Sequence, residues 1–348
     1  MESENIPKRA DSALTKSKRK HTIRRIVGYV IALACLVWVF HDIHLGRLLG
    51  QMSRLKWAWL VFAIICDTLA YISQGIRWRL LLRPIGDINT LKTTQAVYVG
   101  LFANEVLPFR VGEFIRGYLV SRWLSTEFIS VIPSLAVERF VDGIWLAVGV
   151  AITIIFLQLP RNLMDAADIL GLFVLLSTIL FVYLIIRKER SSSPKSDKAS
   201  PRWKLIRIFL TFIERIASGI KNIGKSRAFY VSMFVSSLVI LFQITAFGMI
   251  FIGYGLHLSV WTSMAVALIV MLGTVIPNAP SNIGTFQFFC VVGLTLFGID
   301  KTTATGASVV AFIILTLPLW AIGLVAISRS GMTLGYIRRE LTSLVKGK

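Results

Sequence analysis

Apolar residues recur along this chain in runs that approach or exceed the length needed to cross a hydrocarbon layer, separated by polar stretches. About 20 apolar residues in a helix span roughly 30 Å of bilayer core. By that measure residues 26–40, 57–82, 131–159, 169–186, 229–252 and 303–327 are predicted as full membrane spans. Two further apolar runs are broken. Residues 93–124 carry Asn104, Glu105, Pro108, Arg110, Gly112, Glu113 and Arg116 within an otherwise membrane-grade segment, and the run that starts at 261 meets Pro277, Asn278, Ala279, Pro280, Ser281, Asn282, Ile283 and Gly284 before it resumes. Two prolines three apart exclude an uninterrupted helix. A charge at the bilayer centre costs about 2.5–3.5 kcal/mol on insertion scales, so such residues face a protein interior or a wet cavity and mark a pathway or site.

Composition agrees with this pattern. The 348 residues are 55% hydrophobic and 16% charged, with mean hydropathy +0.71, which places the chain among all-α polytopic membrane proteins. The net charge of +20 does not point to nucleic acid, because the basic residues lie between apolar spans; the partners expected are membrane lipids, with anionic headgroups at the cytoplasmic face. Of the 38 Lys and Arg, 28 fall in four segments: the tail 1–25, the end of the second span with its loop, the hydrophilic linker 188–227, and 329–348. The positive-inside rule puts those segments, and both termini, in the cytoplasm of a cell membrane. Arg47, Arg54 and Lys56 fall on the other side and run against the rule.

With that topology each broken run enters and leaves on one side. The expected architecture is six spans plus two opposed re-entrant hairpins, 91–125 from the cytoplasm and 258–299 from outside, divided between membrane parts 26–187 and 228–328 as an inverted repeat. If the broken runs are instead full spans, the count rises to eight or more. The linker carries an amphipathic pattern over 202–220 that suits an interfacial helix.

Several side chains stand out inside these elements. Asp67, Tyr71, Gln74 and Arg77 share one helical face of the second span. Glu138 and Asp142 are four apart on the next full span, with Arg139 three from Asp142. Gly219 to Ser226 matches the phosphate-loop pattern G-x-x-x-x-G-K-S, but it precedes a membrane span in a chain without room for a nucleotide-binding sheet, so it reads as a chance match. Cys35, Cys66 and Cys290 have no paired spacing, and neither a cofactor nor a metal is expected.

Together these residues resemble the flippase-like membrane proteins that share the transmembrane region of lysylphosphatidylglycerol synthases. The matching pattern is Asn104, Pro108, Arg110, Gly112, Glu113 and Arg116, then Glu138, Arg139 and Asp142, then Pro277, Pro280 and Gly284, with Gln74, Arg77 and Trp78 in the second span. The chain departs at Ser281 and Asn282, where many members pair glycines, and at Gln287, where members often carry Glu. No hydrophilic segment is large enough for an aminoacyl-transferase domain, so the resemblance implies the translocation half alone, with a synthase as a possible partner.

The function expected is transfer of an anionic phospholipid, aminoacyl-phospholipid or polyprenyl-linked lipid between leaflets. Arg110 and Arg116 would meet phosphate, Glu113, Glu138 and Asp142 would hold the arginines in the empty site or bind a cationic headgroup, and Asn282, Gly284 and Gln287 belong to the second hairpin's part of the site. The alternatives are an intramembrane lipid-modifying enzyme with Glu113 or Glu138 as base, and a non-transporting partner that recruits a soluble synthase.

Overall fold

The computed structural model describes residues 30, 32–41, 46, 50, 54–107, 111–157, 161–186, 214, 216–275 and 280–331. All regular structure among them is helical, in nine principal helices: α1 Trp57–Leu82, α2 Thr90–Val106, α3 Gly112–Trp123, α4 Phe128–Phe156, α5 Arg161–Ile186, α6 Arg227–Tyr254, α7 Val260–Gly273, α8 Thr285–Leu296 and α9 Lys301–Ser328. Helical turns at 32–40 and 216–224 add to these. α1, α4, α6 and α9 are long and apolar enough to cross a membrane. The first predicted span is described only over part of its length, and α5, at 26 residues, has Gly171–Phe181 as its apolar middle.

The helices are built inside-out with respect to water. On α1 the exposed stripe is Phe62, Ile65, Leu69, Ile72 and Ile76, while the buried stripe includes Asp67, Ser73 and Arg77. Exposed aliphatic side chains over a buried polar row are stable only where the surroundings are hydrocarbon. On α5, Leu172, Phe173, Leu176, Ile179 and Leu180 are likewise exposed.

Both broken runs fold as helix, break, helix. In the first, α2 runs on through Asn104 and ends at Val106, and α3 starts at Gly112. In the second, α7 stops at Gly273, a 3-10 turn occupies Pro280–Asn282, and α8 starts at Thr285. Ser281 (φ 57°), Asn282 (φ 51°) and Gly284 (φ 89°) all adopt left-handed backbone there. Glycine suits this best, and at 284 a Cβ would also strike the carbonyl of Ala32.

Packing relates the two halves reciprocally. α1 lies antiparallel along α6, tied at one end by Lys56 N–H to the Gly253 carbonyl (2.8 Å) and at the other by Arg77 to Ser236. α9 packs on α2, where Phe102 fills the gap left by Gly323 and Gln95 donates to the Ala326 carbonyl (2.9 Å). In the same way α4 packs on α7, where Leu268 and Met264 meet Gly149. Each hairpin has its own apolar core, one around Trp78, Leu81, Phe102, Leu119 and Val131, the other around Leu60, Phe251, Val266, Val291 and Leu294.

The phosphate-loop match belongs to this scaffold. Residues 216–224 are helical, Gly219 sits against Pro133 of α4, and the Ser226 hydroxyl accepts from Ala228 N–H as the N-cap of α6. A helical turn and a cap do not form the anion cradle that the motif needs.

Candidate functional site

Glu138 is the centre of a buried ionic network. Ten residues into α4, its side chain has no exposure and faces both α1 and α3. Arg116 of α3, 4% exposed, grips it in a fork, Nη2 to Oε2 at 2.9 Å and Nη1 to Oε1 at 3.3 Å. Arg77 of α1, 1% exposed, donates from Nη2 to Oε1 at 2.6 Å and from Nη1 to Asp142. Arg77 Nη1 also lies 3.4 Å from the Ser236 hydroxyl of α6. Forked guanidinium–carboxylate contacts of this kind are stronger and more directional than neutral hydrogen bonds.

The network extends outward through Arg139, half exposed, which reaches Glu113 at 2.9 Å and Asp142 at 3.2 Å. Three arginines thus meet three carboxylates, and the cluster is neutral. Trp78 forms its floor: the Arg116 guanidinium lies 4.7 Å from the ring centroid, and Trp78 Nε1 donates to the Ser134 hydroxyl at 3.1 Å. Arg77 Nε and Arg116 Nε remain buried without a hydrogen-bond partner among the described residues.

The first hairpin is drawn tight just above this cluster. Asn104 Oδ1 accepts from Gly112 N–H at 2.8 Å, and a Cβ on Gly100 would sit 2.9 Å from the Gly112 carbonyl oxygen. α2 and α3 therefore touch backbone to backbone, which sets Arg116, one turn further along α3, against Glu138. Asn104→Ala removes the acceptor from a part-buried N–H; the expected cost is about 1–3 kcal/mol, read as a lower unfolding temperature in detergent.

The tips of the two broken runs meet. The Ser281 hydroxyl donates to the Glu105 carbonyl at 3.0 Å, and Trp320 Nε1 of α9 lies 3.5 Å from Glu105 Oε2. Gln287 does not face this junction as a ligand would. Its Oε1 accepts from Gly284 N–H at 2.7 Å and so closes the start of α8, a task for which an amide suffices.

The predicted residues accordingly fall into groups. Arg77, Glu113, Arg116, Glu138, Arg139 and Asp142 come together; Asn104 and Gly112 shape the hairpin; Pro280, Asn282, Gly284 and Gln287 shape the second break. Pro108, Arg110 and Pro277 lie outside the described residues. Gln74 is half-buried on α1 and takes no part in the network, and Asp67 lies elsewhere on α1. Glu138 and Asp142 face α1 and α3, and Arg116 meets Glu138 from the returning arm, one turn past the start of α3. Arg77 was legible only as part of a stripe, and Ser134 and Ser236 carried no signal in the sequence.

Comparison with known proteins gives membrane proteins as relatives of this chain. A UPF0104 membrane protein of Methanocaldococcus jannaschii is 23% identical over 302 residues, covering 83% of this chain and 88% of that one. A UPF0104 membrane protein of Methanothermobacter thermautotrophicus is 21% identical over 332 residues, covering 90% and 96%. A glycosyltransferase of Haloferax volcanii, AglD, is 26% identical over 156 residues, 44% of this chain but 24% of that protein. The profile of the lysylphosphatidylglycerol synthase transmembrane region matches residues 25–323, almost all of the helical bundle, and the chain belongs to that family of membrane proteins.

Proposed function

We propose that this protein moves an anionic lipid, or a lipid with a phosphate-linked headgroup, between the leaflets of a cell membrane. The observation that carries this reading is the meeting of two interrupted hairpins inside an apolar bundle, Ser281 on Glu105, beside a buried arginine cluster. Broken helices that meet within a bundle are the usual site of secondary transporters built from inverted repeats. Non-helical backbone is tolerated at membrane depth only against protein or a water-filled cavity. On this reading the hairpins are re-entrant, one from each side, and both termini are cytoplasmic.

In the empty state Glu138 and Asp142 hold Arg77 and Arg116, so no bare cation faces hydrocarbon. A headgroup phosphate competes for those guanidiniums, and the unpaired Nε–H groups of Arg77 and Arg116 are the donors it would take. Arg110, at the break of the first hairpin in the sequence, would meet the phosphate first. The cargo classes are phospholipid, aminoacyl-phospholipid and polyprenyl-linked sugar. The relative named as a glycosyltransferase supports including the last, through the segment it shares. A synthase that makes the lipid is the soluble partner to look for.

The test is reconstitution into phosphatidylcholine vesicles with fluorescent phosphatidylglycerol in both leaflets. Reduction of the probe from outside is expected to consume nearly all of it with the protein and only the outer share without it. Arg110→Ala should slow transfer roughly ten- to a hundredfold, the equivalent of one charge-assisted hydrogen bond. Transfer equal to that of empty vesicles, or new lipid products in place of transfer, would overturn the reading.

A further inference from the structure

Asp67 is an ionisable group that the arginine network leaves out. It sits near the middle of α1, 6% exposed, and ten residues from Arg77, which is about 15 Å along the helix axis. Among the described residues no lysine or arginine pairs with it; every ion pair there lies elsewhere. A lone carboxylate in such a place is expensive as an anion and tolerable as a neutral acid.

Its neighbours are suited to a proton. Tyr71, one turn along α1, sits beside the Asp67 carboxylate and packs on Tyr98 of α2. The rings of Tyr71 and Tyr98 meet edge to face at 5.6 Å, and the Tyr98 hydroxyl, on a side chain 4% exposed, is buried without a hydrogen-bond partner of ordinary geometry among the described residues. Cys66 is the other titratable group beside it. From the far side, α6 between Ala228 and Gly253 and α9 beyond Lys301 contain no acidic or basic residue. The charged residues of α4 in reach of α1 are held in the network at Arg77. Among the described residues no group of three His, Cys, Asp or Glu could hold a metal ion. A single carboxylate beside phenols offers too few oxygens for a hard divalent cation, and a proton needs only the one carboxyl.

We propose that Asp67 binds and releases the proton that couples lipid transfer to a transmembrane proton gradient, by controlling the contact between the two hairpin tips. The inference rests on the lipid-transport reading above. The link is α2. Tyr71, one turn from Asp67, meets Tyr98 of α2 edge to face, and further along α2 the Glu105 carbonyl accepts the hydrogen bond from Ser281. With Asp67 neutral, α1 and α2 pack closely and the tips stay joined. When the Asp67 carboxyl loses its proton to water, a buried carboxylate without a cation draws in water and loosens α1 from α2, and the end of α2 moves off Ser281. Uptake of one proton restores the contact.

The experiment uses the full chain in phosphatidylcholine vesicles with trace fluorescent phosphatidylglycerol, with a one-unit pH gradient imposed or collapsed by a protonophore. One proton exchanged per lipid would hold the probe at roughly a tenfold leaflet ratio across that gradient. Asp67→Asn, close to isosteric, should bring the ratio to one. Tyr71→Phe, which removes only the hydroxyl, should move the pH at which transfer is half-maximal. In infrared spectra the wild type should show a protonated carboxyl band that Asp67→Asn lacks, a readout that needs no transport. A ratio of one in the wild type while lipid still crosses would overturn the coupling and leave lipid transport standing. Absence of the carboxyl band, or an unchanged ratio in a folded Asp67→Asn protein, would also overturn it. No lipid crossing at any gradient would overturn the transport reading and this inference with it.

Discussion

Glu138→Gln is expected to destabilise the protein by about 3–5 kcal/mol, the usual cost of leaving a buried charge without its partner. The side chain has no exposure, and it is the acceptor for three hydrogen bonds from Arg77 and Arg116. An amide in its place turns a donor towards guanidinium groups that are themselves only donors. The second arginine is then left almost uncompensated, since Asp142 serves Arg77 and Glu113 serves Arg139. The same reasoning predicts rescue. Glu138→Gln combined with Arg116→Met restores charge balance and should recover most of the loss, although each change alone is harmful. Thermal unfolding in detergent reads both results. A Glu138→Gln protein within 1 kcal/mol of wild type, on the scale just given for a broken buried pair, would mean that the cluster does not hold the bundle together.

Gly112→Ala is the second substitution expected to act strongly. An added Cβ would collide with the Gly100 carbonyl oxygen and lie 2.7 Å from Asn104 Oδ1. The carbonyl belongs to the backbone of α2 and cannot rotate away as a side chain could. The two arms must separate, and the Asn104 to Gly112 hydrogen bond is lost with the contact. Overpacking typically costs about 1–3 kcal/mol, and rigid backbone on both sides places this site at the upper end. Function should suffer beyond stability, because Arg116 travels with the start of α3 and the Glu105 tip with the end of α2. Gly46→Ala, at a position with open space around it, is the control and should be neutral. Equal stability and transfer for Gly112→Ala would show that the arms are not held at this distance.

How far the sequence carried the fold differs from element to element. The bounds of α1 follow directly from its apolar run, which begins at Trp57 and ends just before Pro84. Both breaks were legible because proline removes a helix donor, and that is a local property. The pairing of the site was not. Periodicity places Glu138 and Asp142 on one face but says nothing of what lies opposite. Their partner Arg77 is 61 and 65 residues away. Arg77 and Arg79 look alike as basic residues near the end of a span; one is 1% exposed and pairs with Glu138, the other is over a third exposed and lies 3.8 Å from Asp87. The stripe from Asp67 to Arg77 reads as one feature in sequence, yet it serves two separate polar regions, because α2 and α4 approach α1 at different heights. The phosphate-loop pattern misleads for the opposite reason, since composition matches where backbone does not.

In the proposed transport cycle the junction of the hairpin tips is the part that moves when lipid crosses. Replacing the native cysteines by serine and introducing Glu105→Cys with Ser281→Cys allows that junction to be locked by oxidation in reconstituted vesicles. Lipid transfer is expected to stop when the cross-link forms and to return on reduction; transfer at an undiminished rate with the cross-link complete would contradict the account.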